Sequence, residues 1–171
     1  MRRLMLLRHA KADRPLGVND HERPLAARGL RQSQEMGMYM EKQGLVPDLA
    51  IVSTSIRTQD TWRLASTAIG LEITRQDEPR IYEGAPDEIL HVIRTTDPSI
   101  QTLLLVGHNP GFEHVATSLV GAGRAVALSR LQHEFPTGAL AVIDFTADNW
   151  AKVAAGEGYL DRFETLASIS S

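Results

Sequence analysis

Short apolar runs recur along the chain, and each ends in polar residues. The clearest runs are residues 4–7, 49–52, 102–106 and 139–145. Buried strands have this pattern, although a run of four residues alone cannot be distinguished from a buried helical segment. The intervals between the runs are long enough for helices. The alternation predicts strand–helix–strand units and an α/β fold, a three-layer α/β/α sandwich around a mostly parallel sheet.

Helices are predicted in the intervals between these runs, where apolar residues recur with helical spacing. They cover residues 26–42, the segment from hydroxyl residues 53–55 to 69, residues 87–96 and residues 112–120. Gly44 and Gly70 supply the stop signals of the first two. One face of the first helix is shared by Leu30, Ser33, Gly37 and Met40, and the inward-facing positions of the second are Trp62, Ala65 and Ile69. A short strand near Ile73, a link over 121–133 and an edge strand over 150–154 complete the prediction.

Size and composition bound the class of protein. A chain of 171 residues fits a single domain over 1–171 with a substantial core. With 43% hydrophobic and 23% charged residues and a net charge of -3, neither disorder nor a nucleic-acid surface is predicted. The chain contains no cysteine, which excludes disulfides, thiolate-bound zinc and cysteine nucleophiles.

The first residues imitate the start of a signal peptide, because two arginines precede the apolar run Leu4–Leu7. Arg8 and Lys11 interrupt that run well short of the about 7 to 15 residues that a signal peptide needs. No other run approaches the length of a membrane span. We therefore expect a cytoplasmic protein that has no membrane partner.

Arginine and histidine side chains follow three of the predicted strands. Arg8 and His9 follow the first run, Arg57 lies shortly after the second, and His108 follows the third. Because ligands of open α/β sheets bind beyond the carboxyl ends of the strands, we expect these side chains to converge. Guanidinium groups bind phosphate oxygens two at a time, and Arg23, in the loop over the strand end, adds a third group of this kind.

Other phosphate-binding or catalytic motifs are missing from the sequence. It has no GxxxxGK[ST] loop, and Gly121–Gly123 follows a predicted helix, not a strand. It also lacks HExxH, and His108 and His114 have no supporting metal ligand nearby. We therefore expect neither a metal nor another cofactor.

Without metal or thiolate, the strongest neutral nucleophile available is an imidazole, and histidine is a recognised covalent nucleophile. Arg8 and Arg57 would keep His9 neutral, because nearby cations disfavour the imidazolium. Phosphoryl transfer depends on positioning and on neutralising the charge of the phosphate oxygens, which arginines and histidines can supply in place of magnesium.

Four ordered motifs, LRHAKA, ERPLAARG, STSIRTQDT and VGHNPGFE, resemble the histidine phosphatase (phosphoglycerate mutase-like) superfamily, and within it the SixA-type phosphohistidine phosphatases. The resemblance extends over about residues 3–145. It implies that His9 is the phosphorylated nucleophile, that Arg8, Arg23 and Arg57 bind phosphate, and that His108 is the second histidine of the phosphate pocket.

Two features leave alternatives open. Ala10 stands where the family motif has glycine, which would matter if the position needed a positive φ or a very close approach by substrate. The general acid is either Glu83, in a link where family members often carry an acidic residue, or Asp20, in the early loop. Each carboxylate also fits an ordinary solvated turn. The remaining histidines are expected to be surface or structural residues: His21, His91, His114 and His133.

The connections around the predicted site are short, which predicts an open, shallow site. Such a site fits phosphohistidine displayed on a protein better than an enclosed sugar phosphate. The alternatives are a broad phosphomonoesterase, or a mutase acting on a small metabolite, although a mutase would need an enclosed pocket. A non-catalytic phosphate-binding module is a further alternative, suggested by Ala10.

Overall fold

A computed structural model of the chain describes residues 1–170. Its strands are β1 (Arg2–Arg8), β2 (Leu49–Val52), β3 (Thr74–Asp77), β4 (Thr102–Gly107), β5 (Val120–Gly123), β6 (Leu140–Phe145) and β7 (Gly158–Glu164). Its helices are α1 (Ala27–Lys42), α2 (Ile56–Ile69), α3 (Pro86–Arg94), α4 (Gly111–Leu119), α5 (Ala125–His133) and α6 (Leu166–Ile169). Single 3-10 turns lie at Asp20–Glu22, Pro79–Ile81 and Trp150–Lys152.

The strands form one sheet in the order β3-β2-β4-β1-β6-β7-β5. Pairing is parallel except on the two sides of β6, which runs opposite to both β1 and β7. In the parallel part Val106 pairs with both Leu7 and Val52, and Gly107 pairs with Arg8. The carboxyl ends of β1, β2 and β4 therefore lie side by side at one edge of the sheet.

Helices cover both faces of the sheet, which confirms the predicted three-layer α/β/α sandwich. Alternate residues of β1 point to opposite faces, as strand geometry requires. Leu4 and Leu6 pack in a core with residues of α3, α4 and α5, whereas Met5 and Leu7 pack in a second core with residues of α1 and α2. Because β1 is buried on both faces, its sequence is continuously apolar and does not alternate.

The helix that follows β2 has its ends defined by local sequence. The hydroxyl oxygen of Ser55 accepts a hydrogen bond from the backbone N–H of Thr58 at the first turn. Gly70 ends the helix in the left-handed region, with φ of 78°. The three residues predicted to face inward, Trp62, Ala65 and Ile69, are all buried.

Packing between α1 and α2 corrects one predicted position. Leu30 is 40% exposed, and Met36 is buried instead. Gly37 faces the backbone carbonyl of Ala65, where a Cβ atom would have no room. This close approach of the two helices determines which residues of α1 face inward, and it moves Leu30 out of that face.

The carboxyl-terminal third of the chain differs most from the prediction. Residues 150–154 are not an edge strand, because Trp150 begins a 3-10 turn and its indole Nε1 donates to the carbonyl of Ile100 at 2.7 Å. The strand that pairs with β6 on the side away from β1 is β7, whose Asp161 and Arg162 interrupt the apolar pattern. The predicted link over 121–133 contains most of β5 and all of α5. With the sequence VGAG, β5 has one β-branched residue, no aromatic residue and two glycines, so it lacks the pattern by which strands are recognised.

Across residues 1–170, the helices are too short or too polar for any of them to cross a membrane.

Candidate active site

Beyond the carboxyl ends of β1, β2 and β4 lies a cleft of about 1000 Å³. The structure places all seven predicted site residues on its lining: Arg8, His9, Asp20, Arg23, Arg57, Glu83 and His108. They come from five separate segments of the chain: the ends of β1 and β4, the first turn of α2, the early loop and the link before α3. The aligned strand ends bring them together.

His9 is fixed by its backbone and its ring. Its backbone N–H donates to the carbonyl of Gly107 at 3.1 Å, and Gly138 donates to its carbonyl at 2.9 Å. The ring Nδ1 lies 2.8 Å from the carbonyl oxygen of Ala10. Because a carbonyl only accepts, Nδ1 carries the hydrogen and Nε2 is left with its lone pair free. This is the tautomer that a nucleophilic imidazole needs.

The environment of His9 also keeps the ring neutral. Burial is the largest cause that lowers its pKa, to about 4, and the charges of Arg57 and Arg8 lower it further. The hydrogen bond to Ala10 acts in the opposite direction but is outweighed. Sequence reasoning had identified the arginines and had missed the larger effect of burial.

His108 is held in the opposite tautomer. A terminal nitrogen of Arg57 donates to its Nδ1 at 3.4 Å, so the hydrogen is on Nε2 and is donated to the hydroxyl of Ser53 at 2.8 Å. Burial, followed by the charges of His9 and Arg57, lowers the pKa of His108 to about 3. Ser53 is fully buried. The sequence marked it only as one of the hydroxyl residues 53–55 at the start of the second predicted helix, and its role beside His108 was missed.

Arg57 is anchored mainly by one residue of the early loop. Its Nη1 donates to the backbone carbonyl of Asp20 at 2.6 Å, and its Nη2 to the carboxylate of Asp20 at 3.0 Å. The Nε of Arg57 is buried and has no hydrogen-bond partner among the described residues. A buried donor without a partner is unusual, and it fits a site built for an acceptor such as a phosphate oxygen.

Arg8 and Arg23, like Arg57, use only some of their donors in hydrogen bonds within the protein. Nη1 of Arg8 donates to the carbonyl of Phe135 at 2.9 Å, while its Nε is buried and unpaired among the described residues. Burial lowers the pKa of Arg8. Arg23 donates to the carbonyl of Asp13 at 3.0 Å and to the carboxylate of Asp20 at 3.1 Å. Each guanidinium is thus held in place by some of its donors and keeps others for a ligand.

Asp20 is not free to act as a proton donor in this arrangement. Its carboxylate accepts hydrogen bonds from the Tyr82 hydroxyl at 2.7 Å, from Arg57 and from Arg23. These bonds, with that of Tyr82 the largest cause, hold the pKa of Asp20 well below its usual range. A carboxylate that stays ionised suits the orientation of cations better than general acid catalysis.

Glu83 lies at the wall of the cleft with an exposed side chain. Its φ of 53° lies in the left-handed region, and no other non-glycine residue among 1–170 has a positive φ. The next residue, Gly84, faces the carbonyl of Arg80 and has no room for a Cβ atom. Backbone strain of this kind often accompanies functional residues, and here it occurs at a residue that lines the cleft.

Ala10 fits its position without strain. It is fully buried, and its backbone φ is not positive. Its N–H donates to the hydroxyl of Thr61 at 3.1 Å, and this hydroxyl donates to the carbonyl of Arg57 at 2.7 Å. The backbone on which His9 stands is thereby tied to α2. Nothing in this geometry requires glycine at residue 10.

One detail differs from the sequence-based expectation. His9 and His108 are only 7% and 8% exposed, so they lie at the floor of a wide cleft and the site is not shallow. His114 is exposed, as predicted for a surface residue, and it also lines the same cleft. Within residues 1–170 there is no group of three or more histidine, aspartate or glutamate side chains positioned to hold a metal ion.

Comparison with known proteins agrees with the motifs. A family model of the histidine phosphatase superfamily (branch 1) matches residues 4–83. That range holds every predicted site residue except His108. An uncharacterized protein of Mycobacterium tuberculosis is 35% identical over 153 residues, which cover 88% of this chain and 93% of that protein.

Solved structures extend the similarity over the whole fold. The protein assigned as phosphohistidine phosphatase SixA in Agrobacterium tumefaciens has a TM-score of 0.81 at 27% identity, covering 96% of this chain and 97% of the other. Its counterpart from Nakamurella multipartitia has a TM-score of 0.79 at 28% identity, covering 96% and 95%. These matches confirm the predicted phosphoglycerate mutase-like fold.

Proposed function

This chain belongs to the histidine phosphatase superfamily and is a phosphatase, and we propose that it works through a phosphohistidine intermediate on His9, without a metal, on phosphohistidine carried by a protein. The observation that carries this proposal is the state of His9. Its ring is buried, neutral and oriented by Ala10 so that Nε2 is free, and three guanidinium groups line the same cleft.

In the first step the lone pair of Nε2 attacks phosphorus. A bond from phosphorus to Nε2 forms while the bond to the leaving imidazole or alkoxide breaks, and the leaving group takes a proton. In the second step water attacks the phosphorylated His9, loses a proton and releases inorganic phosphate, and the neutral imidazole is restored.

His108 is assigned to the phosphate pocket through Arg57, which donates to its Nδ1, and Arg8, Arg23 and Arg57 are assigned to the phosphate oxygens. Their unused donors, above all the buried Nε atoms of Arg8 and Arg57, supply fixed positive charge where negative charge develops in the transition state. Since these groups are already held by the scaffold, little reorganisation is needed at the moment of reaction. This is the basis for proposing a metal-independent reaction.

Glu83 is assigned as the general acid and, in the second step, the base that takes the proton of water. The ionised state of Asp20 favours Glu83 over Asp20 for this role. For a phosphohistidine substrate the acid matters less, because imidazole is already a good leaving group. Asp20 is assigned to substrate binding through the arginines that it holds.

The preference for a protein substrate is supported by the short connection between α2 and α3, where residues 70–85 hold only β3 and a single 3-10 turn. One observation favours a second candidate, a phosphatase of small phosphomonoesters. The cleft volume of about 1000 Å³ lies at the upper end of the range of small-molecule sites, about 300 to 1,000 Å³.

A cytoplasmic location is part of the proposal. The apolar run Leu4–Leu7 forms the centre of β1 and pairs on both sides with other strands, so it is part of the folded sheet. Detection of the protein in the membrane or secreted fraction of fractionated cells would contradict this placement.

Incubation with a radiolabelled phosphohistidine carrier protein tests the catalytic proposal. We expect an acid-labile, base-stable label that His9→Ala abolishes and that His114→Ala, a change in an exposed histidine of the same cleft, leaves in place. Bound phosphate without label would indicate a non-catalytic binding module instead.

Two further experiments test the metal-free reaction and the preference for a protein substrate. Activity should persist in excess chelator, and a loss that magnesium restores would refute the metal-free reaction. Turnover of the carrier protein should exceed that of aryl and alkyl phosphates. If only the small esters are cleaved, the second candidate function is correct.

A further inference from the structure

Tyr82 contacts the polar residues of the site through a single hydrogen bond. Its hydroxyl donates to one carboxylate oxygen of Asp20 at 2.7 Å, and Nη2 of Arg57 donates to the same oxygen at 3.0 Å. The other carboxylate oxygen accepts from Arg23 at 3.1 Å. One carboxylate therefore connects the tyrosine to two of the three phosphate-binding arginines.

The ring of Tyr82 is fixed on two sides. It meets the ring of His108 edge-on, with centroids 5.5 Å apart, and the ring of His21 edge-on at 4.7 Å. The guanidinium carbon of Arg57 lies 6.0 Å from its centroid, at the limit of a cation–π contact. The ring thus stands between the early loop and the two elements that carry Arg57 and His108.

The backbone of Tyr82 is anchored as well. Ile81, the preceding residue, is 1% exposed and belongs to the hydrophobic core beneath α3. The N–H of Tyr82 donates to the carbonyl of Pro79 at 3.1 Å, closing the 3-10 turn. The hydroxyl of Tyr82 is thereby presented from a rigid part of the fold.

Asp20 has less support of its own. It lies in a turn of three residues, none of which is buried, and its side chain is 41% exposed. A carboxylate in such a turn would change rotamer readily. Of the side chains that donate to the Asp20 carboxylate, Tyr82 is the one that is not an arginine to be positioned, and it follows directly on the core residue Ile81.

We propose that Tyr82 is a positioning residue that acts through Asp20: it fixes the Asp20 carboxylate, which in turn fixes Arg57 and Arg23 for binding of the phosphoryl group. The inference rests on the proposed function of the cleft, because the arginines are taken as the phosphate ligands. It assigns to the reaction a residue that no motif in the sequence marked.

Because the hydroxyl of Tyr82 donates to a carboxylate, it remains protonated under all ordinary conditions. Burial, assisted by the bond to Asp20, raises the pKa of Tyr82 to about 12. Tyr82 is therefore not placed as a proton donor to the substrate. Its removal should change binding of the phosphoryl group and leave the chemical step nearly unchanged.

A double-mutant cycle on oxyanion binding tests the proposal. Orthovanadate affinity is measured by calorimetry for the wild type, Tyr82→Phe, Asp20→Asn and the double variant. A lost hydrogen bond to a charged group predicts that Tyr82→Phe weakens binding about 10-fold and Asp20→Asn about 30-fold. The double variant should resemble Asp20→Asn within about twofold, because Tyr82 acts only through Asp20.

Tyr159→Phe is the matched control, since Tyr159 lies on β7 with a 45% exposed side chain. It should change neither orthovanadate affinity nor turnover. For Tyr82→Phe, KM for the phosphorylated substrate should rise in parallel with the dissociation constant of orthovanadate, while kcat stays within about threefold. If Asp20→Asn does not fold, Asp20→Ser takes its place in the cycle.

Three results would overturn the inference: additive effects of the two substitutions, unchanged orthovanadate affinity in Tyr82→Phe, or a fall in kcat with KM unchanged. The proposed function fails in a different way. If no label ever reaches His9 while orthovanadate binding still shows the coupling, the positioning role stands and the catalytic proposal does not.

Discussion

The rings of His9 and His108 lie with their centroids 5.3 Å apart and their planes inclined by 57°. One ring leaves Nε2 without a hydrogen and the other leaves Nδ1 as an acceptor, because the Ala10 carbonyl and the Arg57 guanidinium select opposite tautomers. The two imidazoles are thus neutral neighbours in a cleft lined by guanidinium groups. The predictions below follow from this pair and from the backbone that holds it.

Replacing Ser53 with alanine should disturb His108 without touching the nucleophile. The Nε2 hydrogen of His108 would lose its acceptor while buried, which costs about 1–3 kcal/mol in the free energy of unfolding. Phosphorylation of His9 should slow about 10-fold, the usual effect of losing a partner that orients a site histidine. Urea unfolding and single-turnover labelling measure the two effects. Ser66→Ala, at a half-buried serine of α2 that does not line the cleft, should change neither.

Stability should decrease as the pH falls through the mildly acidic range. The folded-state pKa values of His9 and His108 are about 4 and about 3, whereas a free imidazole has a pKa of about 6.5. Between about pH 6.5 and pH 4 the unfolded chain binds protons that the folded chain does not, so the free energy of unfolding rises with pH in this window. The stability from these groups is present above pH 6.5 and is lost toward pH 4.

Urea unfolding at about pH 7 and about pH 5 checks this dependence. The wild type should lose about 1–2 kcal/mol for each buried imidazole. His9→Asn should lose less, because only His108 then contributes. An equal loss in the wild type and the variant would show that His9 titrates normally.

Glu83→Gln should separate substrates by their leaving groups. A glutamine cannot donate a proton in the transition state, so hydrolysis of alkyl phosphates should fall about 100-fold. Hydrolysis of phosphohistidine should fall much less, because imidazole leaves readily. The measurement is kcat/KM for both substrates. Glu88→Gln, which changes another carboxylate of the same cleft, is the control, and equal losses on both substrates would rule out the assigned role.

Ala10→Gly should lower stability without improving catalysis. The buried methyl group would be lost and the unfolded chain would gain freedom, at a combined cost of about 1–2 kcal/mol. Because φ of Ala10 is not positive, glycine brings no relief of strain. Denaturant unfolding and kcat/KM measure the two outcomes. A rise in kcat/KM of about tenfold or more would mean that Ala10 obstructs the substrate.

The parts of the site that the sequence predicted share one physical basis. Arg8, His9 and His108 directly follow apolar runs, and parallel strands end at a common edge, so their convergence follows from local pattern and one topological rule. Arg57 follows from the same rule, since a helix begins just after β2. Helix ends such as Gly70 were predictable for a similar reason, because the signal lies within a few residues.

The less predictable parts depend on contacts between distant segments. Tyr82 and Asp20 are 62 positions apart, and Ser53 and His108 are 55 apart, so no local pattern could pair them. β5 and β7 escaped prediction because strand pairing, not apolar alternation, defines them.

The sequence by itself determined which chemical groups reach the cleft, because residue identity and position just after the predicted strands fix them. The tertiary structure alone decided the tautomer of each histidine, the ionised state of Asp20 and the strained turn at Glu83. Those properties depend on burial and on hydrogen-bond partners, which exist only once the chain has folded.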